Sequence, residues 1–386
     1  FDEMSPFFGF DGGASVKAFS PGVAWRTVDT PLGVVKTYQL GLTSTVSLSS
    51  GADGGFPGAP GSSYGGSGSL GRCVGGVVKS VLQLPDRAEP LLLGGALPVD
   101  VAADAQRIAV VTAGDNMLLE LPAAVTPPPP GACAEVFGAR TPLGATPVAV
   151  TFVQGTPVVQ TRFPSGLRFG TMSIDFALQP KGNAGHRVFH QQALAGLACA
   201  SCHPEGRDDG RVWVFDRDGK RRTQSLAGGV MTTAPFHWDG SLMGLPELMH
   251  EVGRLRMGLS VTPSDLVSLG LWLDTIPRPA PRASDVVAAA RGKDLFESAE
   301  VGCAACHSGP RFTNNTSHDV GTGGPLQVPM LVGIGSRAPF MHDGCAKTLQ
   351  ARFVGPASCG GGDLHGKTSQ LNAGQVADLV AYLNTL

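Results

Sequence analysis

Two five-residue stretches constrain this chain more than anything else in it. They are Cys199-Ala200-Ser201-Cys202-His203 and Cys303-Ala304-Ala305-Cys306-His307. Both read C-x-x-C-H. Two thiols a helical turn apart can form thioethers to one haem, and the adjoining imidazole then supplies the proximal iron ligand. A zinc site or a dithiol redox pair also uses C-x-x-C. Neither calls for a histidine directly after each pair. The sequence therefore predicts two covalently bound haem c groups, one on Cys199, Cys202 and His203 and one on Cys303, Cys306 and His307.

The remaining cysteines are Cys73, Cys133, Cys345 and Cys359. Even counting suggests the disulfides Cys345–Cys359 and Cys73–Cys133. Haem c and disulfides both point to a periplasmic or extracellular, exported protein. The sequence begins Phe1-Asp2-Glu3 without a leader, which reads as a processed or truncated chain. A net charge of −2 gives no basic field for nucleic acid. No apolar run reaches the ~18 residues of a membrane span. Glycine accounts for 54 of 386 residues, about twice the usual ~7%, so many turns and short elements are expected.

Residues 1–180 read as an all-β region. Short apolar runs at 33–38, 75–78, 108–111 and 157–160 alternate with turn residues. Leu97-Pro98-Val99-Asp100-Val101 resembles Thr146-Pro147-Val148-Ala149-Val150, and the two prolines are 49 residues apart. That is near a propeller-blade period. The expected architecture is propeller-like and short of a closed ring, with an irregular β-sandwich as the alternative. Residues 49–71 read as a mobile Gly/Ser/Pro loop and 127–130 as a stiff polyproline connector.

From Gly182 the chain repeats itself, which predicts two tandem, mainly α cytochrome c domains at 181–283 and 284–386. Amphipathic segments at 264–273 and 375–383 close the two copies. Ala234-Pro235-Phe236-His237-Trp238-Asp239-Gly240 answers Ala338-Pro339-Phe340-Met341-His342-Asp343-Gly344. Each begins 31 residues after its motif histidine. The linker Pro277–Arg282 is short and proline-rich.

On these motifs, with Ser308-Gly309-Pro310-Arg311-Phe312-Thr313 and His318-Asp319-Val320-Gly321, residues 181–386 resemble the bacterial di-haem cytochrome c peroxidases, including the maturase type. The resemblance implies a peroxidatic haem at Cys199/Cys202 and an electron-transfer haem at Cys303/Cys306. It implies that Trp238 carries electrons between them. The family's second-haem methionine, a dozen residues beyond H-x-G, has no counterpart here. The candidates for that ligand are Met341, His342 and His365, with His365 favoured by its place in the loop before the last helix. The family's distal glutamine and glutamate fall near His250 and Arg256, so the expected acid is missing. His250 becomes the candidate general base, with Glu251 second, and His237 or His250 a candidate ligand of the first haem. Calcium is doubtful, because Arg222 stands where the family has an asparagine and a cation repels calcium. Asp208-Asp209-Gly210 reads as a turn. Met231, Met243, Met249 and Met257 read as core.

The expected function is that of a di-haem c-type oxidoreductase. It would use hydrogen peroxide at the first haem and take electrons from a small redox protein through the second. The alternative is a non-catalytic electron carrier or structural cytochrome. In either case the β-rich region offers a surface for protein docking.

Overall fold

The computed structural model describes residues 25–41, 45–46, 78–87, 90–126, 136, 138–177, 184–215 and 218–386. The expectations for 49–71, for 127–130 and for a Cys73–Cys133 pair lie outside the described residues.

The N-terminal region is built of β-sheets. It holds three consecutive four-stranded antiparallel meanders, each with its strands in chain order. The first comprises Trp25–Thr30, Gly33–Gly41, Val78–Gln83 and Leu91–Leu93. The second comprises Pro98–Ala103, Arg107–Thr112, Met117–Pro122 and Ala139–Pro142. The third comprises Pro147–Val153, Thr156–Arg162, Ser165–Phe169 and Met172–Asp175.

Local chemistry sets the turns. Asp104 Oδ1 accepts from the backbone N–H groups of Gln106 and Arg107 at 2.8 and 2.7 Å, an Asx turn that starts the next strand. Gln154 and Gly155 both take positive φ (48° and 73°). Two such residues in a row match the right-handed twist of the flanking strands.

The two proline-led segments paired by sequence are the first strands of the second and third meanders. Each shows a register shift two residues after its proline, at Pro98/Asp100 and Pro147/Ala149. Asp100 Oδ2 accepts from the Val150 N–H at 2.9 Å and so joins one repeat to the next.

Successive side chains on a strand point to opposite faces. In Arg107–Thr112, Ile108 and Val110 pack with Val35, Leu82, Leu93 and Leu119. Ala109 and Val111 pack with Leu118, Val150 and Val159. The second meander is thus buried on both faces, which is why this strand is a continuous apolar run rather than an alternating one.

The later part is helical. Helices run over Ala184–His190, Pro263–Thr275, Val286–Glu297, Leu349–Val354, Ala357–Gly360 and Ala373–Leu383. Leu245–Leu248 continues into a wider π-type helix, Met249–Met257. Two small hairpins not expected from sequence join them, Val212–Phe215 with Gly219–Arg222 and Ser317–Asp319 with Pro325–Gln327.

The chain groups into two compact units. One is Phe1–Glu205 with Val252–Asp265; the other is Gly206–Glu251 with Leu266–Leu386. In the second unit, helices Val286–Glu297 and Ala373–Leu383 cross at Gly292. A Cβ there would lie 1.9 Å from the Asp378 carbonyl oxygen, so only glycine permits the approach. Arg291 clasps Asp378 by two hydrogen bonds of 2.7 and 2.6 Å, and Phe296 meets Tyr382 edge-on at 5.3 Å. Asn372 caps the last helix: it accepts from the Gln375 N–H, and the Gln375 side chain accepts from the Asn372 N–H, both at 3.0 Å.

Candidate haem sites

Both C-x-x-C-H stretches fold into the same tight turn. The His203 and His307 N–H groups donate to the carbonyls of Cys199 and Cys303 at 3.0 and 2.9 Å. None of the four motif cysteines is in a disulfide, whereas Cys345 and Cys359 form the disulfide anticipated for them. Burial pushes the Cys199 thiol up to about 11.

At the second motif, the His307 ring is oriented by Nδ1 donating to the Phe312 carbonyl at 3.0 Å. That leaves Nε2 as the ligating nitrogen. The His365 ring lies 6.2 Å from it, centroid to centroid. His365 Nδ1 donates in turn to the Gly360 carbonyl at 3.2 Å, which frees its Nε2 as well. A transition metal about 2 Å from each of two imidazole nitrogens sets ring centroids about 6 Å apart, since each nitrogen is about 1 Å from its centroid. The pair therefore fits a six-coordinate iron.

Burial holds both imidazoles neutral, the ligating form. His307 is lowered to about 4, and His365 to about 3 with the Arg352 charge adding to the effect. The surroundings include Phe296, Leu331, Phe340 and Leu379, with Cys303, Phe312 and Met341 packed against them. Such apolar walls suit a porphyrin. His342 is buried and meets Trp238 rather than His307.

The loop carrying His365 is pinned from several sides. The Arg352 guanidinium donates to the His365 carbonyl. Lys367 N–H donates to the Val301 carbonyl at 2.9 Å. Cys359, next to Gly360, is held by its disulfide to Cys345.

The two proline-aromatic loops share their backbone features. His237 and Met341 occupy equivalent positions and both take positive φ, 67° and 70°; Gly240 and Gly344 follow at 68° and 66°. Each loop closes by an isolated antiparallel bridge, Phe236 to Leu242 and Phe340 to Ala346. Trp238 Nε1 donates to the Arg222 carbonyl at 2.8 Å, and the indole meets His342 edge-on at 6.3 Å.

Arg222 is buried. Its guanidinium pairs with Asp208 at 2.9 Å and donates to the Thr223 and Arg337 carbonyls. Asp208 and Asp209 also make Asx turns, to the N–H groups of Gly210 and Arg211. The Asp209 carboxyl is buried between Trp213 and Thr223 and is pushed up to about 6 by that burial.

His250 is exposed, while Glu251 and Arg256 are half-buried; all three lie on the π-type helix. Of the methionines expected in the core, Met249 and Met257 are buried, but Met243 is 67% exposed. The expectation for Met243 is thereby corrected: it stands in an irregular stretch before the helix and faces solvent. His186, His190 and Glu205 form a cluster that the motif reading passed over. The H-x-x-x-H spacing on a helix was the available signal.

No family model matches the chain. Hydrazine synthase subunit gamma of Kuenenia stuttgartiensis is 25% identical over 256 residues, covering 49% of this chain and 72% of that protein. The methylamine utilization protein MauG of Methylophilus methylotrophus is 28% identical over 235 residues, covering 44% and 70%. A solved structure of the Kuenenia stuttgartiensis hydrazine synthase aligns with 56% of this chain and 98% of its own, at 22% identity and a TM-score of 0.47. These relatives fit the di-haem cytochrome c peroxidase family that the motifs resemble. They support a di-haem oxidoreductase and imply haem c cofactors. Among the described residues no helix is long and apolar enough to cross a membrane.

Proposed function

We propose that the protein is an exported peroxidase-like enzyme in which an oxidant of the peroxide class reacts at the first haem and electrons arrive through the second. On this reading the cytochrome repeats span 181–283 and 284–386, and the three meanders are propeller blades that offer a docking face. A small redox protein delivers the electrons.

The observation that carries the reading is an asymmetry between the two repeats. The loop before the closing helix of the second repeat presents His365 to His307 at 6.2 Å. The corresponding loop of the first, Gly258-Leu259-Ser260-Val261-Thr262, contains neither histidine nor methionine. One site has two strong protein ligands, the arrangement suited to electron transfer. The other takes no ligand from that loop, which suits access by a small molecule.

Haem, when bound, supplies the redox centre. The chain's residues orient and tune it. His307 and His365 are held in place by the Phe312 and Gly360 carbonyls. Reducing one peroxide to two waters consumes two electrons and two protons. His250 is the proposed proton carrier, and its exposed imidazole exchanges with solvent; Glu251 and Arg256 complete the proposed group. Trp238 is the proposed electron relay. Calcium has no part in the reading, because the Arg222 guanidinium already holds the Asp208 carboxylate.

The test is the ferric spectrum of the haem-loaded protein. One high-spin and one low-spin haem are expected, with only the high-spin signal shifting on addition of peroxide or cyanide. Two low-spin haems that ignore both ligands would establish the electron-carrier reading instead.

A further inference from the structure

Helix Ala184–His190 presents two histidines one turn apart, His186 and His190. They are 8% and 6% exposed. The chain returns to them just past the first motif, where Glu205 takes a left-handed backbone (φ 49°) and brings Oε1 to 3.7 Å from His190 Nε2. One donor atom from each of the three residues lies within 4.8 Å of the others.

The hydrogen bonding fixes what the donor atoms are. His190 Nδ1 lies 2.8 Å from the His186 carbonyl and donates to it. Nε2 then faces the Glu205 carboxylate oxygen, with which it forms an ion pair when the ring carries a second proton. A proton on the ring or a metal ion between the two satisfies that pair of atoms. His186 Nε2 accepts from Arg162 Nη1 at 3.1 Å, so its lone pair is also available once that arginine moves aside.

The second repeat is an internal control. Matching Gly185-His186 and Phe189-His190 to Gly292-Lys293 and Phe296-Glu297 places Lys293 and Glu297 where the histidines stand. Those two are an exposed i,i+4 ion pair, with side chains 54% and 55% exposed. Glu205, two residues past its motif histidine, corresponds to Gly309. Attaching a haem therefore does not require this cluster, and all three donors are peculiar to the first repeat.

We propose that His186, His190 and Glu205 form a binding site for a divalent transition-metal ion that brackets the first haem motif. Two imidazoles and one carboxylate suit zinc, copper or nickel rather than calcium or magnesium. The rings are now stacked at 3.9 Å with an 18° interplanar angle. Binding turns the His186 ring off Arg162 so that both ring planes converge on the metal. In a tetrahedral site the donor atoms lie about 3.3 Å apart, so the closure required is small. His186 and His190 also line a groove with Asn116, Thr146, Phe163, Gln191 and Leu194. The ion would tie the helix before the motif to the residue after it.

Zinc(II) is the probe. The full-length haem-loaded protein, stripped with a chelator and dialysed against zinc(II), should retain one zinc for every two irons. His186→Gln and His190→Gln should each weaken binding by about tenfold or more, as should Glu205→Gln, while keeping both irons. His318→Gln, at an exposed histidine elsewhere, should bind as wild type. If one variant fails to hold haem, the others still decide, and zinc K-edge absorption of the wild-type protein should show nitrogen and oxygen scatterers alone. Zinc that is absent, that survives His190→Gln and Glu205→Gln, or that shows sulfur scattering overturns the proposal.

Discussion

At the scale of single residues, Asp209 links burial to a measurable pH dependence. Its carboxyl accepts from Trp213 Nε1 at 3.2 Å and from the Thr223 hydroxyl, and burial pushes it up to about 6. In the unfolded chain an aspartate titrates near 3.9. The folded state thus binds the extra proton between those values, and stability falls as pH rises from about 4 to 6. The loss is on the order of 3 kcal/mol, from about two pKa units at 1.36 kcal/mol each. Asp209→Asn keeps an acceptor for Trp213 and removes the ionisation. It should raise Tm at pH 8 and leave a flatter Tm profile; a profile parallel to wild type would refute the assignment. His365→Ala makes a second residue-scale prediction. One low-spin haem should become high-spin and its potential should rise, because a strong ligand to ferric iron is lost, while Met341→Ala leaves the low-spin spectrum unchanged. The sequence singles out His365 by its place in the loop before the last helix, and the structure sets its ring 6.2 Å from that of His307. Of the cluster of His186, His190 and Glu205, only the H-x-x-x-H spacing is legible in the sequence; Glu205 reaches the helix through a left-handed backbone that no pattern encodes.

At the scale of elements, the loop between Cys345 and Cys359 is the piece most exposed to test. It contains helix Leu349–Val354, whose Arg352 holds the His365 carbonyl. It ends beside Gly360, which accepts from His365 Nδ1. Gly360 is required there because a Cβ would lie 2.2 Å from the Arg352 carbonyl oxygen. The disulfide closes 14 residues of chain, a loop length that contributes roughly 3 kcal/mol by restricting the unfolded state. Replacing both cysteines by alanine should lower stability by about 2–3 kcal/mol in denaturant titration. The His365-dependent low-spin signal should also melt at lower denaturant than the fold as a whole. Coincident transitions would show that the disulfide acts on global stability alone. The meanders were readable at this scale, since Pro98 and Pro147 each open one with the same register shift. The π-type turns at Met249–Met257 were not readable. Helical periodicity does not separate a wide helix from an α-helix over nine residues, and that is where His250, Glu251 and Arg256 sit.

At the scale of the whole molecule, the question is whether two haem sites act as one enzyme, and Trp238 is where that can be decided. Its indole N–H is committed to the Arg222 carbonyl at 2.8 Å, and its ring edge meets the buried His342 of the second proline-aromatic loop at 6.3 Å. Those contacts fix the ring, and a fixed, oxidisable ring can divide one long electron transfer into two shorter ones. They also mean that the ring contributes packing, so loss of activity in Trp238→Ala would not discriminate: a cavity there costs roughly 3–5 kcal/mol. Trp238→Phe discriminates better. Phenylalanine keeps most of the apolar volume and is much harder to oxidise. It cannot donate to the Arg222 carbonyl, which costs about 1–3 kcal/mol for a buried acceptor left unpaired, a loss that a domain of ordinary stability survives. The variant should therefore fold, retain both haems and show the wild-type ferric spectrum. In stopped flow, electron equilibration from the second haem to the peroxide-treated first should slow by roughly tenfold or more, a barrier increase of at least about 1.4 kcal/mol. Equilibration at the wild-type rate in a folded Trp238→Phe protein would assign the ring to packing and leave the transfer to another route.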